Sequence, residues 1–525
     1  MMRARLVAVV SLLFTIVFFI EYTPLSRRVH IPYDLDGYHF PLDDYAFQAL
    51  RHGRFPQWDA ANYCGFSFAG NIQAGLFYPP AWLMFALSFP APKLHYQALE
   101  DLVLAHVWLA FLLCFLWLNR QKRLHWLASV LGGGVFAFSG YMLLQLQHLG
   151  LVCGYAWIPL GFWAIDQAEE WKSWRPLWKL ALASTMCLLA GYPPTWVVFA
   201  VCMIAYAGGR RNAMRCAPLA VAALAVSLLW SSVQLLPALE ATRTRNPEAK
   251  YDRGRGIRDP QFYVSYLLPN YFDFGLDVDS RSSPGGEYLY LGGVGLVGLA
   301  LFLARRRIRD AAPPLCVLLA SLLFLVNPFG LAGRAIEQSA MLSQVFTDWY
   351  FLAGVAAALA PLAALGLDFA FTPVPPRTAW PRAAAIVCIA FACAWSVRLL
   401  VTWCHALSAK NSPEFASGWW SGIDAVIDVA LCAGLVALFT HSRGRVRGLA
   451  AASLLLVSAA GFKAFGTSRR FNASRGAYAN DYVSGSFPGM NTQTYRLLRL
   501  HPDYRLALDS TGPYPQELRH VGLST

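Results

Sequence analysis

Long apolar blocks place the strongest constraint on what this chain can form, because they recur along almost its whole length. Apolar residues make up 57% of the sequence and charged residues 14%, against about 25% charged residues in typical soluble domains. A bilayer core of about 30 Å needs about 20 apolar residues in a helix, whereas a soluble core helix does not. The pattern predicts an all-α integral membrane protein with about 13 transmembrane helices. The predicted spans are residues 6–20, 97–118, 127–147, 150–168, 180–191, 193–208, 216–237, 286–304, 312–327, 347–371, 383–404, 420–440 and 447–465.

Basic residues form short clusters between these blocks, and they account for much of the net charge of +13. Cytoplasmic loops retain Lys and Arg, and threading the blocks as alternate crossings puts the clusters on one side. We therefore expect a cytoplasmic N-terminus and an extracytoplasmic C-terminus. No basic face is interleaved with aromatic residues, so a nucleic-acid partner is not expected. The clusters are Arg3 and Arg5; Arg120, Lys122 and Arg123; Lys172, Arg175 and Lys179; Arg210, Arg211 and Arg215; Arg305, Arg306, Arg307 and Arg309; Arg377 and Arg382; and Arg443, Arg445 and Arg447.

The first apolar block, residues 6–20, follows two arginines as a signal peptide would. No small-residue cleavage site follows it, which predicts an uncleaved first span. The threading leaves two large outer segments, about 24–96 and about 238–285. The predicted organisation is a polytopic transmembrane domain over 1–465 and an extracytoplasmic C-terminal tail over 466–525.

The first outer segment carries the densest group of polar residues, and Asp34 and Asp36 lie just beyond the first span. A carboxylate there can act as a general base on an acceptor hydroxyl, or can hold a divalent cation on a phosphate. Acids two residues apart in an extended segment point the same way, which favours a metal ion, whereas in a helix they would diverge. Solvated loop acids are the alternative. The cofactor stays open, with Mg²⁺ or Mn²⁺ as the cation that these two acids would hold.

Four further residues are candidates for ligand binding. Glu240 and Arg243 follow a predicted span, where an Arg suits a lipid phosphate, although a plain helix-end anchor explains them equally well. Arg334 lies near an apolar segment, and charge inside a membrane is costly unless it is used. Trp58 could stack on a sugar or a lipid, but aromatic residues are also enriched at membrane interfaces.

Eight short motifs, taken in order, resemble the bacterial YfhO-type membrane proteins over most of the chain up to about residue 370. The resemblance rests on their order and spacing together. The motifs are DLDGYHFP at 34–41, HGRFPQW at 52–58, CG at 64–65, AGNIQ at 69–73, FYPP at 77–80, LAGYPP at 189–194, QLLPALE at 234–240 with Arg243 after it, and GEYLYLGG at 286–293.

This resemblance implies a GT-C-like glycosyltransferase of the bacterial plasma (inner) membrane. Proteins of that class are polytopic, use a lipid-phosphate-linked sugar, and carry a catalytic Asp in the first outer loop. Asp34 matches that acid, and Asp36 is its neighbour or partner. The implied partners are membrane lipid, a polyprenyl-phosphate-linked sugar donor and a glycan, lipid or protein acceptor on the outer face. The residues expected to bind these substrates are Tyr38, His39, Trp58, Asn71, Gln73, Glu240, Arg243, Glu287 and Arg334.

The resemblance also implies a mechanism, in which Asp34 deprotonates the acceptor hydroxyl and that oxygen attacks C1 of the sugar with inversion. Arg243 or Arg334 would neutralise the polyprenyl phosphate as it leaves.

Two other functional classes stay open. A lipid or polysaccharide transporter or flippase should show broken helices, charges near the midplane and an internal repeat; no repeat is evident, and the polar residues gather at the outer face. A non-catalytic scaffold for envelope assembly would tolerate loss of Asp34 and Asp36. The tail is shorter than the resemblance implies, and SQVFTDWYFL before Gly366 has no Arg. These departures leave a truncated or inactive member as an alternative.

Overall fold

A computed structural model describes residues 2–26, 30–31, 34–60, 65–243, 288–304, 311–326, 330, 334, 348–372, 382–408 and 419–465. The candidate Glu287, most of the second outer segment and the predicted tail over 466–525 lie outside the described residues.

The described chain is almost entirely helical. Its strands form one short antiparallel pair, in which Trp58 lies opposite Ser67 and Asp59 opposite Phe66. One-turn helices cover Ile20–Tyr22, Leu35–His39, Ile72–Ala74, Trp117–Gln121 and Asp348–Phe351. The longer helices are α1 Met2–Phe18, α2 Phe40–Arg51, α3 Pro79–Ser88, α4 Tyr96–Leu116, α5 Trp126–Phe138, α6 Gly140–Leu144, α7 Leu149–Tyr155, α8 Ile158–Glu170, α9 Leu177–Leu189, α10 Pro193–Gly208, α11 Ala213–Trp230, α12 Ser232–Thr242, α13 Gly292–Ala304, α14 Ala312–Val326, α15 Leu352–Phe371, α16 Arg382–Ser408, α17 Trp419–His441 and α18 Gly444–Phe465.

Within the described residues, 8 helical stretches are long and apolar enough to cross a membrane, and further apolar helices are shorter. The predicted all-α membrane fold is therefore confirmed. Apolar blocks that cross a bilayer form helices because a helix satisfies its own backbone hydrogen bonds in hydrocarbon. The count of about 13 spans stays a prediction.

Several predicted spans consist of two helices instead of one. The 127–147 block divides into α5 and α6 at Ser139, and the 150–168 block divides into α7 and α8. Pro159 lies in the first turn of α8, where its missing N–H prevents a continuous hydrogen-bond ladder from α7. The 216–237 block likewise divides at Ser231.

Among the described residues, Lys122, Lys172, Arg210 and Arg215 lie at the end of the bundle opposite His148. Asp166, near the C-terminus of α8, contacts the side chains of Lys122 and Arg210 at 3.0 and 2.8 Å. His148 directly precedes α7, so the rise of the intervening helical residues separates it from Asp166 by roughly 27 Å. Arg215 also donates to the carbonyl oxygen of Lys172 at this basic end. That the basic end is cytoplasmic stays a prediction.

A buried ion pair ties the first described helix to the last one. Lys463 of α18 donates to Glu21 Oε1 at 2.5 Å and also to the carbonyl oxygen of Phe18 at the end of α1. Its ammonium group lies 4.2 Å from the ring centre of Trp403. Both charged side chains are almost fully buried, so each provides the other with the partner that a buried charge requires. This contact closes the bundle at the end that bears Asp34.

Helices α13 and α15 cross at very short range because small residues line their contact. A Cβ atom on Gly366 would lie 1.9 Å from the carbonyl oxygen of Gly298. A Cβ atom on Gly298 would lie 2.6 Å from the carbonyl oxygen of Ala363. Such close backbone approach is the usual way for membrane helices to gain packing contacts.

We therefore expect Gly366→Ala to destabilise the protein by at least about 1–3 kcal/mol, because the added methyl group must push two backbones apart. The measurement is the thermal unfolding midpoint of the purified protein in detergent. Gly448→Ala is the matched control, since a Cβ there meets nothing within 4 Å. Equal midpoints for the two variants would contradict the close crossing.

Candidate functional site

Asp34 stands at the start of a one-turn π-helix that begins the first outer segment. The turn covers Leu35–His39 and is closed by the backbone N–H of Phe40, which donates to the carbonyl oxygen of Leu35. Insertions of this kind occur frequently at functional sites. An Asp at such a position commonly caps the helix with its side chain, but the Asp34 carboxylate makes no capping bond. It is therefore available to other groups.

The partner of Asp34 is His148. Oδ2 of Asp34 lies 3.4 Å from Nε2 of His148, and the side chains are 49% and 21% exposed. Burial raises the pKa of the Asp34 carboxyl, but the bond to His148 and the nearby His39 outweigh it, so the pKa lies below its ordinary value. Asp34 is thus ionised at neutral pH, as a general base must be.

Asp36 is turned away into the protein, next to His30. Its Oδ2 atom lies 3.7 Å from Nε2 of His30, and both side chains are buried. Burial raises the pKa of Asp36 above its ordinary value, with the hydrogen bond to His30 opposing that effect. Residues two apart on a helix do not face each other. Of the two arrangements considered for this segment, the helical one applies, in which the two carboxylates diverge.

A joint metal site of the two acids has no support in this geometry, because the carboxylates of Asp34 and Asp36 face different histidines. Across the described part of the chain, no group of three or more His, Cys, Asp and Glu side chains is arranged to hold a metal ion. Whether a divalent cation takes part stays open.

His39 and Tyr38 lie on the same helical turn as Asp34. Burial lowers the pKa of His39 to about 4, with the charge of Asp34 opposing the shift, so this ring is neutral at neutral pH. Tyr38 follows Asp34 by four residues, which puts both on one helical face. Asn71 donates to the Tyr38 hydroxyl at 3.5 Å and accepts from the backbone N–H of Gln73 at 3.2 Å. This contact joins the Asp34 face to the AGNIQ loop.

The AGNIQ loop also packs against the LAGYPP turn. Gly191 has a φ of +94°, a backbone conformation that suits glycine. A Cβ atom on Gly191 would lie 2.8 Å from the carbonyl oxygen of Ile72. The positive φ and the close approach together explain why a glycine occupies this turn.

The QLLPALE helix, α12, contacts the other side of the same loop. Gln234 donates to the carbonyl oxygen of Ala69 at 2.9 Å. A Cβ atom on Gly70 would lie 2.8 Å from that of Ala241. Three motifs that are far apart in sequence, at 69–73, 189–194 and 234–240, therefore meet in one place.

The described part of GEYLYLGG reaches the segment that bears His148. The backbone N–H of Gly140, at the start of α6, donates to the carbonyl oxygen of Tyr290 at 2.8 Å. The Tyr290 hydroxyl in turn donates to Asp428 of α17 at 3.1 Å. Since α6 leads into Gln145 and His148, this motif supports the residues next to Asp34.

The remaining candidates are exposed residues. Trp58 is 57% exposed, and its carbonyl oxygen accepts from the hydroxyl of Tyr45 at 2.8 Å. Glu240 and Arg243 are exposed at the end of α12, next to the residue that abuts Gly70. Arg334 is also exposed. Binding roles for all four stay predictions.

His148 and Gln145 lie in none of the eight motifs, and the sequence did not single them out as candidates. Nδ1 of His148 lies 2.6 Å from Oε1 of Gln145. The available signal was a pair of polar residues in a short turn between two apolar blocks. What the sequence could not show is that this turn faces Asp34.

Comparisons with known proteins support the fold. No protein-family model and no curated protein sequence matches the chain. Its fold is similar to the apo crystal structure of ArnT from Cupriavidus metallidurans, at 14% identity and a TM-score of 0.50, over 98% of this chain and 84% of that one. Two weaker matches are arabinosyltransferase EmbB from Mycobacterium smegmatis and arabinofuranosyltransferase AftD from Mycobacteria. EmbB has 15% identity and a TM-score of 0.43, over 93% of this chain and 43% of that one. AftD has 12% identity and a TM-score of 0.40, over 84% of this chain and 27% of that one.

At these identities the likeness concerns the fold alone, and it extends over nearly the whole chain. A specific relation to YfhO-type proteins stays a prediction. The described chain has a mostly helical membrane fold similar to that of ArnT, in which Asp34 faces His148.

Proposed function

We propose that this protein is a membrane glycosyltransferase that moves a sugar from a polyprenyl-phosphate donor to an envelope glycan, lipid or protein on the outer face. The observation that carries the proposal is the Asp34 carboxylate, which is half-exposed and faces His148. It lies at the end of the bundle opposite Lys122 and Arg210. ArnT, whose fold is similar, has also been solved bound to undecaprenyl phosphate, which supports a lipid of that class as the donor carrier.

In the proposed reaction, Asp34 takes the proton of the acceptor hydroxyl. The acceptor oxygen forms a new bond to C1 of the sugar while the bond from C1 to the phosphate oxygen breaks. The electron pair of that bond leaves with the polyprenyl phosphate, and the configuration at C1 is inverted. Asp34 must be unprotonated at the start, which its lowered pKa favours.

The leaving phosphate requires a positive partner, and Arg243 is a predicted one at the end of the helix that contacts the AGNIQ loop. It follows α12 next to Ala241, which abuts Gly70 of the AGNIQ loop. A guanidinium group presents several N–H donors to phosphate oxygens and keeps its charge at all relevant pH values. We propose that Arg243 binds the donor phosphate, with Arg334 as the second candidate.

One observation favours a transporter or flippase as the second candidate function. Several spans are broken into two helices, and discontinuous helices are typical of substrate sites in secondary transporters. A transporter would move the lipid-linked sugar across the membrane without releasing the polyprenyl phosphate.

The decisive experiment uses the purified full chain in liposomes with a panel of polyprenyl-phosphate-linked sugars and envelope extracts as acceptors. A transferase releases free polyprenyl phosphate and forms a glycosylated product, both measured by mass spectrometry. In parallel, the envelope glycans of a deletion strain should lack a sugar that the wild-type chain restores. Donor movement across the bilayer with no release would overturn the proposal in favour of transport.

A further inference from the structure

We infer that His148 is a positioning residue for Asp34 and that Gln145 holds His148 in place, so that the three side chains act as one unit. This inference rests on the proposed function, in which Asp34 is the base. It adds two residues to the reaction centre that no motif of the sequence contains.

Both nitrogens of the His148 ring are engaged. Nδ1 lies 2.6 Å from Oε1 of Gln145, and Nε2 lies 3.4 Å from Oδ2 of Asp34. Because the amide oxygen and the carboxylate oxygen both accept hydrogen bonds, the ring donates to both when each of its nitrogens carries a proton. A ring held at both ends cannot rotate freely, and it therefore directs Nε2 at one defined oxygen. With Oδ2 held in this way, Oδ1 of Asp34 is the oxygen that can receive the acceptor proton.

The local backbone also sets this arrangement in advance. The backbone N–H of His148 donates to the carbonyl oxygen of Gln145 at 2.8 Å, so the same two residues are linked by main chain and side chains. Gln145 is fully buried at the end of α6. Its neutral amide orients the ring without adding a second negative charge beside Asp34. Groups that orient a base in this way are typical of catalytic sites.

His148 differs from a histidine that only fills the core. His106 of α4 is such a residue: it is buried, and its ring nitrogens contact the carbonyl oxygen of Leu102 and the hydroxyl of Tyr78. His148 is instead 21% exposed and faces a carboxylate that is 49% exposed. The pair thus lies where a substrate hydroxyl can reach it.

The kinetic test compares His148→Ala, His148→Gln and the wild type. We expect His148→Ala to lower kcat about 10²-fold with little change in the donor KM, because the base loses its orientation while donor binding is kept. His148→Gln should recover part of the loss, since its amide can donate to Asp34. The double variant His148→Ala/Asp34→Asn should lower kcat little more than Asp34→Asn alone, as expected for groups that act as a unit. His52→Gln is the control, because His52 is exposed and its Nδ1 contacts a backbone oxygen of its own helix.

A second measurement does not depend on activity. The ring ¹⁵N signals of the histidine-labelled protein report the hydrogen bonds of each imidazole, and the His148 signals are identified by their loss in His148→Gln. Asp34→Asn should shift the His148 signals and leave those of His52 in place. Unchanged His148 signals, or full activity of His148→Ala, would overturn the inference. Shifted signals in a protein that transfers no sugar would leave the pairing intact and refute the proposed function instead.

Discussion

Asp34→Asn is expected to lower kcat for sugar transfer by about 10³-fold, within the range that a general base contributes. The substitution keeps the size of the side chain and removes the negative charge that accepts the hydroxyl proton. Because the side chain is 49% exposed and makes no helix cap, the fold and donor binding should be preserved. The measurement is release of polyprenyl phosphate by purified protein in liposomes, with thermal unfolding as the check on folding.

Asp36→Asn is the matched control, two residues away and of the same chemistry. Asp36 is buried against His30, so its substitution should change the unfolding midpoint more than the chemical step. We expect its turnover to stay within about tenfold of the wild type, below the loss that a catalytic base produces. Equal loss of turnover in both variants, at matched folding, would contradict the assignment of Asp34 as the single base.

The second large effect is expected at the other end of the bundle, where Asp166→Ala should lower the free energy of unfolding by about 3–5 kcal/mol. The substitution leaves the charge of Lys122 largely buried without its carboxylate partner, and it leaves Arg210 with Glu169 as its remaining partner, since both basic side chains are only 18% exposed. It also removes the acceptor for the Trp117 indole and the Tyr206 hydroxyl, at 2.8 and 2.9 Å. Chemical unfolding in detergent measures the loss.

Glu170→Gln gives the matched control at the same end of α8. Its ion pair with Arg123 is open to solvent, with the two side chains 44% and 78% exposed, and such pairs contribute about 0–1 kcal/mol. Sugar transfer should remain in folded Asp166→Ala protein, because Asp166 lies roughly 27 Å from His148. A stability loss as small as that of Glu170→Gln would show that the buried cluster does not hold these helices together.

Much of the fold could be predicted from sequence because a membrane imposes one simple physical requirement. Each apolar block must form helices that satisfy their own backbone hydrogen bonds in hydrocarbon. Clusters such as Lys122 and Arg210 were expected on one side, and the structure brings both to one carboxylate at one end of the bundle. Where helices break was less predictable. Pro159 marks one break with its missing N–H, whereas no residue explains the break at Ser231.

The site was predictable in part. The first outer segment and its two acids stood out by composition, and the order of the motifs indicated which loops contribute to the site. Their convergence on the AGNIQ loop depends on how the helices pack, as Gly191 against Ile72 and Gln234 against Ala69 show. No local pattern encodes contacts of that kind.

The sequence by itself determined that this protein is a helical membrane protein with a polar segment near its N-terminus, because hydrophobic length and the placement of polar residues are properties of the chain alone. Only the tertiary structure decided which acid is available for chemistry. Asp34 and Asp36 are alike in sequence, but one helical turn points them in different directions, and packing then gives Asp34 an exposed histidine and Asp36 a buried one. The difference arises from contacts with His148, a residue that a separate segment of the chain supplies.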